Sequence, residues 1–289
     1  MKFTDSHCHL DDNCFSQQLP ELLSQCDLHN ISRIIIPSIS PDNFQKVLSL
    51  TKQYHQNPVE LYCTLGIHPW FLHRLSMNDL EKLNQLIIQE KQHIVGIGEI
   101  GLDGATSKHA AQFGQTPEEN FNQQQLFFDY QLSLAQKNAM PVIIHHRQSH
   151  HHIVPFLKQY QLAKSGIIHG FTGSYQQAKD YIDLGFKLGV GSSISFSRAK
   201  KTINTFKRLP IECLVLETDA PSMPLSAEID SHSSNLSLKG DHNSPANSPL
   251  NIPVIFQLLV NITGIDPLVL ANQLERNIDE VLLTSSSKI

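Results

Sequence analysis

The feature that most constrains this chain is a rhythm. Short runs rich in Ile, Val and Leu recur at 2–8, 31–37, 59–66, 93–99, 141–145, 166–169, 186–190 and 211–217. Continuous branched-aliphatic runs of this kind are expected of strands buried on both faces of a parallel sheet. Amphipathic stretches separate them, near 16–29, 41–56, 76–91, 118–138, 148–161, 174–184 and 197–208. Eight strands alternating with helices predict a (β/α)8 barrel of the TIM type, not a six-stranded open sheet. The 289 residues suit one such barrel, because this fold runs to ~250 residues as a single domain. All of 1–289 is therefore expected to form one domain. The tail 251–283 is apolar at helical spacing and is expected to pack on the barrel wall, with 284–289 frayed. Two segments interrupt the rhythm: 104–117, expected as a long loop after the fourth strand, and the Ser-, Asn-, Asp- and Pro-rich 220–250 after the eighth. Both are expected on the face where the strands end, either as functional loops or as tolerated insertions.

Charge and cysteine content narrow what such a barrel could do. The net charge is −5 with histidines neutral, which excludes the broad basic footprint of a protein that coats duplex nucleic acid. Action on a phosphodiester at a metal centre stays open, because bound cations supply positive charge locally. No run of ~18 apolar residues is present, so no membrane span is expected. The N-terminal MKFTDSHCHL carries a charge and two histidines where a signal peptide needs an apolar core. The five cysteines are odd in number and form no C-x-x-C pair. They fit small buried hydrophobes in a cytoplasmic protein.

Histidine is the outlier, with 16 copies, five of them within 145–152. His7 and His9 end the first strand as H-x-H, after Asp5. Strand alternation puts both imidazoles on one face, where they can aim at one ion. Glu99 ends the fourth predicted strand in VGIGEIGLD, and a carboxylate there could bridge two ions. His145 ends the fifth strand, His169 ends the sixth, and Asp219 follows the eighth. Each residue alone has an ordinary alternative, as a hydrogen-bonded buried histidine or a helix-capping carboxylate. Together they stand at the strand ends where barrel enzymes build their active sites. Four imidazoles and two carboxylates suit Zn, Mn, Fe, Co or Ni, and Mg less naturally. Six ligands exceed one tetrahedral ion. Two divalent ions ~3.5–4 Å apart would account for all of them. His7, His9 and Asp219 would hold one ion, His145 and His169 the other, with Glu99 bridging. Asp219 could also act as general base.

The motifs D-S-H-C-H-L at 5–10, G-I-H-P at 66–69, G-E-I-G-L-D at 98–103, P-V-I-I-H-H-R at 141–147, H-G-F-T-G-S at 169–174 and E-T-D-A-P at 217–221 follow one another in order. With N-S-P-L-N-I-P at 247–253, they make the chain resemble the TatD family of metal-dependent deoxyribonucleases, within the amidohydrolase superfamily. The stretch from HGFTGS to LETDAPSMPL looks most like the YjjV branch. The resemblance implies the same six metal positions and phosphodiesterase action on DNA, removing nucleotides from the 3′ end of single strands. It also places His68 against substrate, where the alternative is a helix-start histidine stacked on Trp70. Arg147 is implied to hold a phosphate oxygen, or else to brace the site through an ion pair. Asp103 is implied to orient a ligating histidine. The chain departs from the family at Gly104, in its longer 104–117 and 220–250 segments, and in His150, His151 and His152. Those three histidines are expected to be exposed at a helix start.

The leading expectation is thus a metal-dependent nuclease acting on single-stranded DNA or another phosphodiester. Trp70, Phe71 and Phe171 could stack bases, and Arg74, Arg147, Arg198, Lys200 and Lys201 could meet phosphates. These cations look scattered, which predicts a shallow site for a strand end, not a long groove. A second expectation keeps the metal pair but hydrolyses a small phosphate ester, amide or lactone. A third is a non-enzymatic, histidine-rich metal-binding protein. The open strand-end site argues against it, since storage gains nothing from a position left for water. No protein partner is implied.

Overall fold

The computed structural model describes residues 1–230 and 246–283. Expectations for 231–245, within the second interrupting segment, and for 284–289 lie outside the described residues. In chain order the main elements are β1 (Phe3–Asp5), α1 (Leu19–Leu28), β2 (Ile31–Pro37), α2 (Phe44–Gln53), β3 (Glu60–Leu65), α3 (Met77–Gln89), β4 (Gly96–Asp103), α4 (Gly104–Ser107), α5 (Pro117–Asn138), β5 (Val142–Arg147) and α6 (His150–Tyr160). They continue with β6 (Gly166–Ile168), α7 (Tyr175–Ile182), β7 (Lys187–Val190), α8 (Lys200–Phe206), β8 (Leu214–Leu216), α9 (Ala227–Asp230), α10 (Ile252–Thr263) and α11 (Pro267–Ile278).

Local chemistry sets several helix ends. α5 starts on a capping box of Thr116 and Glu119 with Pro117 first, and α7 starts on one made by Ser174 and Gln177, so orphan first-turn amides find acceptors. α10 stops at Gly264, whose φ of 70° is the left-handed geometry glycine tolerates. Among the described residues no single helix is long and apolar enough to cross a membrane.

Each strand pairs in parallel with the next, in the order β1 to β8. The ring closes just beyond the strands proper. Ser6 N donates to Leu216 O at 2.9 Å, Asp219 N to His7 O at 2.8 Å, and His9 N to Ala220 O at 2.8 Å. Buried Asp5 reinforces this seam by accepting from the His7 and Thr218 amides and, at 2.5 Å, from the Thr218 hydroxyl. The chain segments that carry His7, His9 and Asp219 are thereby locked together. Asn247 extends the lock, donating to Thr218 O and Met223 O.

The tail does more than pack on the wall. α10 does lie there, with Phe256 against Phe3 at 4.9 Å between ring centroids. The end of α11 and the turn after it instead plug the bottom of the barrel: Ile278, Val281 and Leu282 meet Ile35, Ile143, Ile167 and Val215 inside it. Arg33 of β2 clamps this plug by donating to Glu275 and Asp279. The floor of the barrel is therefore closed and apolar, and chemistry is left to the opposite rim.

Two expectations change at that rim. The segment 104–117 is not an irregular loop: it holds α4 and a 3-10 turn at Ala110–Phe113. Asp103 starts α4 by accepting from the Ala105 and Thr106 amides at 2.8 Å each. The fourth strand also runs on to Asp103, so Glu99 sits within it, not at its end.

Candidate metal centre

β4 explains how a mid-strand carboxylate reaches the barrel mouth. Its register with β5 shifts between Ile97 and Ile100: Ile97 faces Val142, yet Ile100 faces Ile144. The extra residue is a bulge, a device that re-aims a side chain. Glu99 N donates to Ser38 O of the β2 end at 2.8 Å. The glycines of GIGEIG permit the approach. A Cβ on Gly98 would lie 2.8 Å from the Ile143 Cβ, and one on Gly101, at φ +145°, would lie 2.1 Å from His145 O.

The structure brings the six predicted ligand positions together around Glu99. Its Oε2 lies 3.3 Å from His7 Nε2 and 3.6 Å from His9 Nε2. Its Oε1 lies 3.1 Å from His145 Nδ1 and 3.0 Å from His169 Nε2. Asp219 Oδ1 stands 3.5 Å from both His7 Nε2 and His9 Nε2. The His7 and His169 rings stack at 3.9 Å. Asp219 adopts φ 57°, an uncommon region that aspartate tolerates better than most residues, with its amide held by His7 O.

This donor set fits divalent metal ions. His7 Nε2 and His9 Nε2 approach to 3.3 Å, as do His145 Nδ1 and His169 Nε2. Two imidazole lone pairs at that separation repel unless a proton or a cation lies between them. Three ligand atoms within 4.8 Å of one another occur in His7, His9 and Glu99, and again in His7, His169 and Asp219.

The electrostatics follow from one buried carboxylate among imidazoles. Burial raises the pKa of Glu99, but the neighbouring His68, His169 and His7 outweigh it and hold Glu99 well below the usual range. Burial would likewise lower His169, yet Glu99 raises it to about 10. Against the same penalty, Asp219 and Glu99 raise His9 to about 9. His7 is pushed down to about 4, by burial first and then by His169.

Neighbours fix two tautomers. Asp103 Oδ2 lies 3.0 Å from His145 Nε2. Burial opposes ionisation of Asp103, but hydrogen bonds from His145 and Trp70 hold its pKa down. Nε2 of His145 therefore donates, which leaves Nδ1 as the ligating atom, the arrangement usual for a metal histidine backed by a carboxylate. His68 is different. Its Nδ1 accepts the Trp70 amide at 3.1 Å, and burial keeps the ring neutral with a pKa of about 4. Its proton is on Nε2, 3.2 Å from Glu99 Oε1. His68 thus presents a donor to the site, not a lone pair.

Arg147 points away from the cluster. Its side chain is 54% exposed and its nearest approach to Asp103 is 3.9 Å, too long for a tight brace. The three additional histidines are not uniformly exposed as expected: His150 bonds Asp180 Oδ2 at 3.0 Å and His152 lies edge-on to Phe121, leaving only His151 exposed. Sequence reasoning also missed Glu217. It accepts the Gly170 amide at 2.5 Å, and its Oε1 lies 3.9 Å behind His169 Nδ1. A Cβ on Gly189 would collide with it at 2.0 Å, so glycine is needed beneath it. The glutamate just before Thr218 and Asp219, facing a glycine on the neighbouring strand, was the available signal.

A parallel barrel with an imidazole–carboxylate cluster at the carboxyl ends of its strands defines the chain as a metal-dependent hydrolase of amidohydrolase type. A family model described as TatD related DNase matches residues 4–283, and the chain belongs to the TatD family. It is 40% identical over 225 residues to the metal-dependent hydrolase YjjV of Escherichia coli, covering 78% of this chain and 82% of that one. The crystal structure of E. coli YjjV superposes with a TM-score of 0.82 at 35% identity over 97% of each chain. A human protein named deoxyribonuclease TATDN3 is 26% identical over 244 residues, covering 82% of this chain and 85% of that protein.

Proposed function

We propose that residues 1–289 act as one hydrolase unit, a deoxyribonuclease that removes nucleotides from the 3′ end of single-stranded DNA with two divalent metal ions. The observation that carries this reading is the division of Glu99: Oε2 addresses His7 and His9, while Oε1 addresses His145 and His169. His7, His9 and Asp219 would hold one ion and His145 and His169 the other, with Glu99 between them. Imidazole and carboxylate donors suit Zn, Mn, Co or Ni better than Mg. Such ions polarise a phosphoryl oxygen and acidify water.

The chain's own groups supply the rest. Asp219 accepts the proton of the attacking water. His68 aims its Nε2–H at the same space and can donate to a phosphoryl oxygen. The cavity at this cluster measures about 220 Å³ and is also lined by Trp70 and Phe71. Both rings are partly exposed, and Trp70 is fixed by its indole N–H on Asp103 at 2.6 Å. A terminal base stacked on such a shelf would be held without regard to sequence. The human relative named a deoxyribonuclease supports the same substrate class.

The test is turnover of a 5′-labelled single-stranded DNA by chelator-treated protein resupplied with Mg, Mn, Co or Zn. Asp219→Asn controls for contaminating nuclease. Metal-restored stepwise shortening that the variant lacks is the expected result. Protein that binds two ions yet cleaves no phosphodiester would reject the nuclease reading and redirect attention to small esters and amides.

A further inference from the structure

A second, larger cavity is lined by residues that directly follow His145 in the chain. Alternation turns His145 and His146 to opposite sides of β5, and Arg147, the last residue of the strand, departs from that alternation. His145 lines the cavity of Glu99, while His146 and Arg147 line one of about 530 Å³ with Thr172, Gln177 and Lys201. Lys201 is shared with a third cavity of about 440 Å³, where Arg208 also stands. The cations that look scattered in sequence are thus partly collected by the fold: Arg147 and Lys201, from β5 and α8, face one space.

These cations are only weakly paired with acids or, among the described residues, unpaired. Arg147 comes no nearer to a carboxylate than 3.9 Å. Among the described residues neither Lys201 nor Arg208 has a carboxylate within 4.0 Å, and Arg208 rests on the Tyr175 ring at 3.9 Å. Asp180 of the adjoining α7 is already engaged by His150 and Gln176. Lys200 and Lys201 also occupy the first turn of α8, with no acidic residue and no capping side chain there. Cations at that end oppose the helix dipole. The arrangement therefore costs local stability, and this in a chain whose net charge is −5.

We infer that the two cavities that share Lys201 hold the sugar–phosphate backbone of a single polynucleotide strand beyond the nucleotide at the metal centre, with Arg147, Lys201 and Arg208 facing its phosphates. The inference rests on the phosphodiesterase reading above and extends it, because it makes strand length a determinant of turnover. Single-strand grooves combine such a cationic track with stacking surfaces. Each phosphate contact releases counterions and adds about 0.7 to the steepness of the salt dependence.

The experiment uses full-length, metal-restored protein. kcat/KM is measured for 3′-labelled single strands of about 3, 6 and 12 nucleotides and for bis(p-nitrophenyl) phosphate, across a salt series. Affinity for labelled strands is read by anisotropy in the same buffers. Lys201→Gln and Arg208→Gln alter exposed side chains. Each is expected to reduce the salt slope by about 0.7 and to weaken binding of the longer strands about two- to fivefold, with KM carrying the change. Wild-type kcat/KM should rise with length and then level off. Unchanged slopes in both variants, or affinity for inorganic phosphate with no dependence on strand length, would overturn the inference. Loss of the slope in binding without cleavage of any phosphodiester would sustain the inference and reject the nuclease chemistry instead.

Discussion

Two groups of histidines crowd the same rim of the barrel, and their surroundings differ. His7, His9, His145 and His169 meet around the two oxygens of Glu99. His146, His150 and His152 meet aromatic rings. His146 lies parallel to Phe171 at 6.1 Å and edge-on to Tyr181 at 5.5 Å. His150 stands edge-on to Tyr181 at 4.9 Å, and His152 to Phe121 at 4.7 Å. Electrostatics set one member of each group apart. His169 is raised to about 10 because Glu99 outweighs burial. His146 falls to about 3, by burial first and then through His150, His145 and His169, with no carboxylate among the causes. The density of histidine along the chain is therefore a poor guide to a metal centre. A buried carboxylate that offers both oxygens to imidazoles is a better one.

The sharpest way to break this comparison is to remove that carboxylate. Glu99→Ala should lower metal-restored turnover by on the order of 10³-fold or more and release at least one ion, measured by metal analysis of the purified protein. Full activity with both ions retained would erase the distinction between the groups. Asp103→Asn should act more mildly, because it weakens the support of His145 without removing a proposed ligand. A loss of about 10- to 100-fold in metal affinity or activity is expected, read from metal titrations of kcat. Within the second group, His152→Leu should change kcat/KM by less than about twofold, since a surface change away from special features has little effect. A loss as deep as that of Asp103→Asn would show that the aromatic-bound histidines also serve the reaction.

The barrel was legible in the sequence because parallel strands buried on both faces leave unbroken aliphatic runs. The convergence of His7, His9, His145, His169 and Asp219 was legible for a related reason: a polar residue closing such a run must stand at the rim. Glu99 was placed correctly among them for an incomplete reason, since the bulge that aims it depends on the register between β4 and β5, which no single run encodes. Glu217 was missed because its environment is made by a different strand, through Gly189 and His169. The pairing of Arg147 with Lys201 and the packing of His150 and His152 were hidden in the same way. Contacts between distant segments decide them, and periodicity reports only on one segment at a time.

The smallest expected effect concerns pH and exploits the opposite shifts of His9 and His169 on one side and His146 on the other. In metal-free protein, His9 and His169 bind protons more tightly when folded, with values of about 9 and about 10 against an ordinary 6.5. The stability they add is fully present below pH ~6.5 and is lost as pH rises through their folded values. His146 does the reverse. With a folded value of about 3, it refuses a proton that the unfolded chain accepts below pH ~6.5. Its effect is absent above that pH, and stability falls as pH drops from ~6.5 toward 3. His146→Phe keeps a ring between Phe171 and Tyr181 but cannot titrate. Urea midpoints of metal-free wild type and variant, taken between about pH 7.5 and 4.5, should diverge only on the acid side, with the variant losing less stability. Because burial also lowers His7 and His68 to about 4, the wild type will soften in acid whatever His146 does, so the difference between the two proteins carries the result. Parallel curves would show that the His146 ring takes up its proton inside the fold, and that the aromatic cluster is open enough to let charge in.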